Sequence, residues 1–340
     1  MSELESELDS LAAETGFSGV VRVDLADRVE VVKAYGLAHR GCGIPNAVDT
    51  RFAIASGTKG LTALTVVSLI EEGRLELATA ARSVLEHDLP LIPDDVTVEH
   101  LLAHRSGIGD YLDEESDLDL DAYLMPVPVH ELAATEQYLP ALDGHEPKFA
   151  AGERFAYCNS GYVVLALIAE RTTRVPFHEL VRQRVCNPAQ MGDTGFLRSD
   201  ELPDRTAIGY LAPERSRTNV FHLPVRGSGD GGIYSTADDI ARLWRAFFAG
   251  RIVSVEWVAE MMRPRSPIAT STRAYGLGFW LDVAADSVML VGSDAGVSFR
   301  TEYRSREDRI TTVIANTTRG AWSITRHLAD RRWDPAPPAC

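Results

Sequence analysis

The stretch Arg51-Phe52-Ala53-Ile54-Ala55-Ser56-Gly57-Thr58-Lys59-Gly60-Leu61-Thr62-Ala63-Leu64-Thr65-Val66-Val67-Ser68-Leu69-Ile70-Glu71-Glu72-Gly73 reads as a short apolar lead-in followed by a helix that opens near Ser56. Leu61, Leu64, Val66, Val67, Leu69 and Ile70 fall on every side of a helical period, so the helix is expected to be buried all round, with Gly73 stopping it. Ser56 and Lys59 are three apart and share a face, with Ser56 at the end where free backbone N–H groups favour a developing anion. A serine hydroxyl is a weak nucleophile until a base takes its proton, and a lysine serves as that base only where burial or a neighbouring cation lowers its pKa. Arginine cannot replace it. Of 34 basic residues only Lys33, Lys59 and Lys148 are lysines, which leaves 34 − 3 = 31 arginines, so a lysine at 59 departs from the chain's habit.

At 340 residues, with 45% hydrophobic and 24% charged content, the chain can bury one large core or two closely packed ones. A net charge of −15 without a dense Lys/Arg run argues against nucleic acid or an anionic membrane as partner. The acidic start, Met1 to Ser10, lacks the basic and apolar regions of a secretory signal, and no stretch reaches membrane-spanning length. Cys42, Cys158, Cys186 and Cys340 lack metal-type pairing and fit reduced thiols in a cytoplasmic protein. No metal or cofactor is expected.

Outward from the Ser56 helix, residues 2–14 carry Leu4, Leu8, Leu11 and Ala12 at helical spacing. Gly19 to Leu25 and Val29 to Tyr35 read as an antiparallel hairpin. From 75 to 265 the pattern is mainly helical: Val98–His104, Val129–Leu142, Ser160–Arg171, Phe177–Val185, Thr236–Phe248 and Ser254–Met262 are the expected helices, and Asp113 to Asp121 an acidic exposed loop or lid. Strands return at Tyr275–Val283, Val288–Val291, Ser298–Arg304 and Arg309–Asn316, followed by a helix over Ala321–Arg332 and a frayed tail, Asp334 to Cys340. This order implies an α+β protein with an antiparallel sheet of about five strands built from both chain ends. Residues 1–74 and 266–333 would form the sheet domain and 75–265 an inserted helical domain, with a ligand cleft between them.

Two further stretches carry chemistry. Tyr157-Cys158-Asn159 places a phenol and an amide just before a helix, and Val291-Gly292-Ser293-Asp294-Ala295-Gly296-Val297 is a small-residue run that lets backbone approach a substrate. Taken alone, Tyr157 reads as a packed aromatic, Asn159 as a helix cap, Asp294 as a turn residue, His104 as structural and Cys158 as a buried filler.

With Ser56-Gly57-Thr58-Lys59 as Ser-x-x-Lys, Tyr157-Cys158-Asn159 as Tyr-x-Asn and Asp294-Ala295-Gly296 where Lys-x-Gly or His-x-Gly is usual, the chain resembles the serine β-lactamase and penicillin-binding protein superfamily. The likeness is to its class C β-lactamase-like branch, which also holds D-alanyl-D-alanine peptidases, D-aminopeptidases and carboxylesterases. It runs over about residues 15–330 and includes Val98 to Gly107 and Gly231 to Asp239. The resemblance implies that Ser56 is acylated and that Lys59 and Tyr157 act as a unit in moving its proton. It implies that Asn159 orients lysine and substrate, and that the backbone N–H groups of Ser56 and Val297 bind the oxyanion. Gly296 and Asp294 complete the expected substrate-binding set. An ionised Asp294 would repel a penicillin or peptide carboxylate and would suit an amine or a neutral acyl group.

The expected function is a serine hydrolase of carboxylic esters or small amides, its partner a small ester, amide or β-lactam-like molecule. A D-aminopeptidase, DD-peptidase or weak β-lactamase, and an idle binding protein of the same fold, are the alternatives.

Overall fold

A computed structural model describes residues 2–115, 119–268, 271–331 and 333. The expected tail at 334–340, and residues 116–118 within the acidic stretch, lie outside the described residues.

The N-terminal helix α1 (Glu3–Thr15) opens on a capping box in which Glu5 N–H donates to Ser2 Oγ at 3.2 Å and the Glu5 carboxylate accepts from Ser2 N–H, and it ends at the left-handed Gly16. The hairpin follows as β1 (Gly19–Leu25) and β2 (Arg28–Tyr35). The remaining strands of the main sheet lie near the other chain end: β3 (Ser266–Pro267), β4 (Arg273–Tyr275), β5 (Trp280–Asp282), β6 (Ser287–Asp294), β7 (Val297–Arg304) and β8 (Arg309–Ala315). Their order is β2-β1-β8-β7-β6-β5-β4-β3, antiparallel throughout. The sheet thus has eight strands rather than about five. Part of the excess comes from 275–283, expected as one strand, where Gly276-Leu277-Gly278 folds the chain back between β4 and β5. A Cβ on Gly278 would sit 2.2 Å from Ala63 Cβ, so this turn is pressed against the Ser56 helix and leaves no room for a side chain.

Strand alternation divides the core between the two faces. Val21 and Val23 of β1 and Val313 and Ala315 of β8 pack with α1 and with the closing helix α5 (Ala321–Asp330). Val20, Leu290, Phe299 and Ile314 face the other way, and there Leu290 meets Gly60 of α2 (Thr58–Glu71). That helix is buried from Thr58 to Leu69, as its all-round apolar pattern requires. Beyond it lies α3 (Asn159–Thr173), while α4 (Ala237–Phe248) packs on the sheet itself against β1 and β8 and is capped by Thr236 Oγ1 accepting from Asp239 N–H at 3.1 Å.

Two expected helices break. Over Val129–Leu142 the Gln137 side chain accepts from Ala133 and Ala134 N–H, taking donors the helix needs, and only short turns at Val129–Glu131, Thr135–Tyr138 and Leu139–Leu142 survive. Phe177–Val185 begins as an α-helix to Val181 and widens into a π-turn at Arg182–Cys186. No helix among the described residues is long and apolar enough to cross a membrane.

Candidate active site

Ser56 sits in a 3₁₀ turn, Ala55–Gly57, that runs directly into α2. The turn enters through Ala55 at φ 45, a left-handed backbone that an L-residue adopts at a cost of about 1–2 kcal/mol. Strand β6 explains why it is held there: a Cβ on Gly292 would lie 2.2 Å from Ile54 O and 3.0 Å from Ser56 N, so the two backbones are nearly in contact. One turn further on, Lys59 is 1% exposed, an unusual burial for a lysine. Its Nζ lies 3.0 Å from Ser56 Oγ, 2.7 Å from Asn159 Oδ1 and 2.8 Å from the Asp230 carbonyl oxygen. Three oxygens match the three N–H donors of an ammonium; with one proton removed, the Ser56 contact reverses and the hydroxyl donates to Nζ.

Tyr157 stands on the other side of Ser56 and its hydroxyl reaches the serine side chain. The ring is stacked on Trp280 with centroids 6.0 Å apart, packs on His104 at 4.3 Å, and lies under Lys59 Nζ at 4.8 Å. Burial, with the nearby Glu114 carboxylate second, pushes its phenol well above the ordinary tyrosine value. The resting group is therefore a neutral phenol, suited to pass a proton rather than to wait as phenolate. Asn159, 1% exposed, opens α3, and its Nδ2 donates to Leu112 O at 2.8 Å and to Glu114 at 3.2 Å.

Sequence reasoning missed what holds this end of α3. Asn159 is not its own cap: Asp110 accepts from Asn159 N–H and Ser160 N–H, both at 2.8 Å, through its two carboxylate oxygens. Burial outweighs those bonds and raises Asp110 to about 6. His104 accepts from Cys158 N–H at 3.1 Å through Nδ1, while its buried Nε2 has no partner among the described residues. The structural reading of His104 is thus only half satisfied. Asp230 was also missed. Besides its carbonyl on Lys59, its carboxylate accepts from the Tyr111 hydroxyl, and burial raises its pKa. The signal available was the His104 to Asp110 run, which begins in the Val98 to Gly107 stretch noted above and runs past it, but carries no role on its face.

The last motif divides. Asp294 ends β6 and faces the cleft; burial raises its carboxyl to about 7, against a bond from Ala295 N–H at 2.8 Å. Gly296 faces away: its N–H donates to Thr318 Oγ1 at 2.9 Å and it abuts the Gly209–Tyr210 backbone. Val297 borders the cleft through its side of the turn but stands opposite Asp294 across Ala295–Gly296. The residue whose backbone presses on Ser56 is instead Gly292, with Ser293 beside it lining both hollows that flank the serine.

Ser56 lies between two hollows. One, of about 880 Å³, is lined by Tyr111, Tyr123, Asn159, Asp230, Asp294 and apolar residues of 197–225. The other, of about 1230 Å³, is an open trough walled by Phe155, Tyr157 and Trp280 and floored by β6 and β7. Ser56, Glu114 and Ser293 line both.

A nucleophile, a buried lysine and a tyrosine within reach of one hydroxyl, set between helices and an antiparallel sheet, define an acyl-transfer hydrolase of the active-site-serine kind. The profile of the β-lactamase family matches residues 4–331, and the chain belongs to that family, as a serine hydrolase of the β-lactamase-like type. It is 32% identical to a penicillin-binding protein of Bacillus halodurans whose crystal structure superposes with a TM-score of 0.89 over 95% of this chain and 99% of that one. It is 29% identical to the esterase EstB of Burkholderia gladioli over 86% of this chain and 82% of the relative. A D-amino acid amidase of Ochrobactrum anthropi, at 22% identity and a TM-score of 0.77 over 96% of this chain and 98% of that one, shares the fold.

Proposed function

We propose that this hydrolase cleaves carboxylic esters or small amides through a covalent acyl-enzyme on Ser56, in the cleft where the sheet domain (1–74 and 266–333) meets the helical domain (75–265). The observation that carries the reading is the buried Lys59 Nζ, fixed 3.0 Å from Ser56 Oγ by Asn159 and Asp230. Lys59 and Tyr157 move the serine proton together. Because the phenol is neutral at rest, Tyr157 hands a proton to the leaving group after Lys59 has drawn it from Ser56. Tyr157 borders the trough and Asn159 the smaller hollow, so the leaving group lies in the trough and the acyl group beside Asn159 and Asp294. The test is release of nitrophenol from p-nitrophenyl butyrate, with a fluorophosphonate adduct located by mass spectrometry. Turnover with the adduct on Ser56 is expected, and turnover with a different residue labelled would refute the reading.

The oxyanion site is reassigned from Val297 to Ser293. In an antiparallel ladder, hydrogen-bonded and non-bonded pairs alternate, and the pair closing a two-residue turn is bonded. Asp294 and Val297 close such a turn, so the Val297 N–H points into the ladder. Ser293 and Ser298 are then a non-bonded pair, and the Ser293 N–H points outward. β5 covers β6 only from Ser287 to Met289, which leaves that edge open beside Ser56. Ser56 N–H and Ser293 N–H form the oxyanion site. A Gly292→Ala change forces β6 off Ser56 and is expected to lower kcat by about 10²–10³-fold, the usual cost of one lost donor. A kcat within about twofold of wild type would reject the assignment.

A second reading has its own observation: three carboxylates, Glu114, Asp230 and Asp294, line the acyl side. An ammonium on the acyl group would bind the ionised form of Asp294. Its carboxyl is raised to about 7, so the charge is absent well below that pH and gained as pH rises through it. KM for an alanine p-nitroanilide is then expected to fall as pH rises through about 7 in wild type and to lose this step in Asp294→Asn, with no such step for the neutral butyrate ester. Equal pH steps for both substrates would count against an amine-bearing substrate. The same shift acts on stability in the opposite sense: the unfolded carboxyl titrates lower, so the contribution is present in acid and is lost as pH rises through the folded value.

A further inference from the structure

Four tyrosines line the smaller hollow, and three of them spend their hydroxyls on the protein. Tyr111 donates to the Asp230 carboxylate, Tyr123 to Tyr111 O at 2.7 Å and Tyr138 to Arg226 O at 2.8 Å. The hydroxyl of the fourth, Tyr234, has no hydrogen-bond partner among the described residues, although tyrosines so placed ordinarily find one. Its oxygen is not enclosed by protein, for the residue is partly exposed and the hollow lies against it. Burial pushes the phenol up to about 12, so at neutral pH the group is an uncharged O–H donor. Backbone pairing fixes which way the ring points. The short strand Tyr234–Ser235 runs antiparallel to Phe52–Ala53, matching Phe52 with Ser235 and Ala53 with Tyr234. Paired residues share a face. Phe52 and Ser235 are buried on one, while Ala53 and Tyr234 border the hollow on the other, just ahead of Ser56 in the chain. The hydroxyl also stands clear of the charged end. Tyr123 and Tyr138 both feel the charges of Asp230 and Asp294, whereas no charged group among the described residues acts on Tyr234.

We propose that the Tyr234 hydroxyl binds a neutral oxygen carried by the acyl group, so that the preferred substrates bear an ether, keto or hydroxyl oxygen several bonds from the reacting carbonyl. This rests on the assignment of Ser56 as nucleophile and of the smaller hollow as the acyl side. A carboxylate would not suit the place, because Glu114, Asp230 and Asp294 already line the same hollow and like charges repel. A plain alkyl chain would suit the apolar wall of Leu197, Val220, Leu223 and Val225, but it would strip water from the Tyr234 hydroxyl and return nothing. An oxygen at the right place along the chain keeps the apolar contacts and accepts that hydrogen bond. A site that holds such a donor discriminates against analogues that leave it unpaired. The chemistry at Ser56 is unchanged; the contact decides which acyl group is held there.

The test uses three isomeric p-nitrophenyl esters, octanoates in which oxygen replaces the methylene at chain position 4, 5 or 6, each rate divided by the rate of hydroxide hydrolysis. The isomers match in size and nearly in polarity, so only the placing of the oxygen separates them. Wild type is expected to favour one position over the others by about fivefold in kcat/KM, the worth of one neutral hydrogen bond. Tyr234→Phe is expected to erase that preference. It should melt as wild type does, because the hydroxyl it loses makes no bond within the protein. Isomers that wild type hydrolyses within about twofold of one another overturn the proposal, as does a preference that survives Tyr234→Phe. A variant that melts several degrees lower also overturns it, since the hydroxyl would then be spent on the fold. Absence of hydrolysis of all three esters and of p-nitrophenyl butyrate, with Ser56 unlabelled by fluorophosphonate, would instead overturn the hydrolase reading beneath it.

Discussion

Ser56→Ala is expected to remove ester hydrolysis, lowering kcat by on the order of 10⁴-fold or more, because the residues that act with the nucleophile have nothing left to act upon. The protein should still fold. Ser56 is only partly buried, its side chain is small, and its loss takes away its contacts to Lys59 and Tyr157, a change of about 1 kcal/mol for each. Turnover of p-nitrophenyl butyrate and a thermal melt, measured on the same preparation, separate the two effects. Activity within about tenfold of wild type, with the melt unchanged, would take the nucleophile's role away from Ser56.

Lys59→Met is the second large effect. Methionine matches the length of the lysine stem and fills the same buried space between α2 and α3. It cannot hold a proton, so kcat is expected to fall by about 10³-fold. Fluorophosphonate labelling of Ser56 should slow in step, since the probe needs the same proton removed. The cost in stability comes from Asn159 Oδ1 and the Asp230 carbonyl, which lose the donor they share and are left buried, about 1–3 kcal/mol each at most. Full labelling at the wild-type rate would show that Tyr157 alone takes the serine proton.

Much of this arrangement was legible in the residues. The all-round apolar run from Leu61 to Ile70 announced a buried helix, and the Ser56-x-x-Lys59 spacing brought both side chains to one face of it. Asn159 at the head of an apolar helix and Tyr157 two residues before it also fall where their spacing placed them. What could not be read was long-range. Nothing in the local sequence of Asp110 tells that its two oxygens close the open end of a helix 49 residues away. Nor does Asp230 declare that its carbonyl, rather than its charge, will hold the lysine. Which residue around Asp294-Ala295-Gly296 meets Ser56 was hidden for a related reason. A small-residue run marks close approach but not which residue approaches, and strand register decided for Gly292. The count of about five strands failed because β3, β4 and β5 are two or three residues long, too short to show an alternating pattern.

The pairing of β1 with β8 sets Gly19 opposite Ala315, and Asn316 N–H donates to Ser18 O. During synthesis the first hairpin must therefore wait for almost the whole chain before its neighbour exists. The same delay applies to chemistry. Ser56 and Lys59 leave the ribosome early, but the strand edge that supplies Ser293 emerges more than two hundred residues later. A nascent chain that has made α2 and α3 can set Asn159 beside Lys59, but it still lacks the Asp230 carbonyl that fixes the lysine and the Trp280 ring on which Tyr157 stacks. Closure of the central strands, slow because it joins such distant segments, is then the step that completes the surroundings of Ser56.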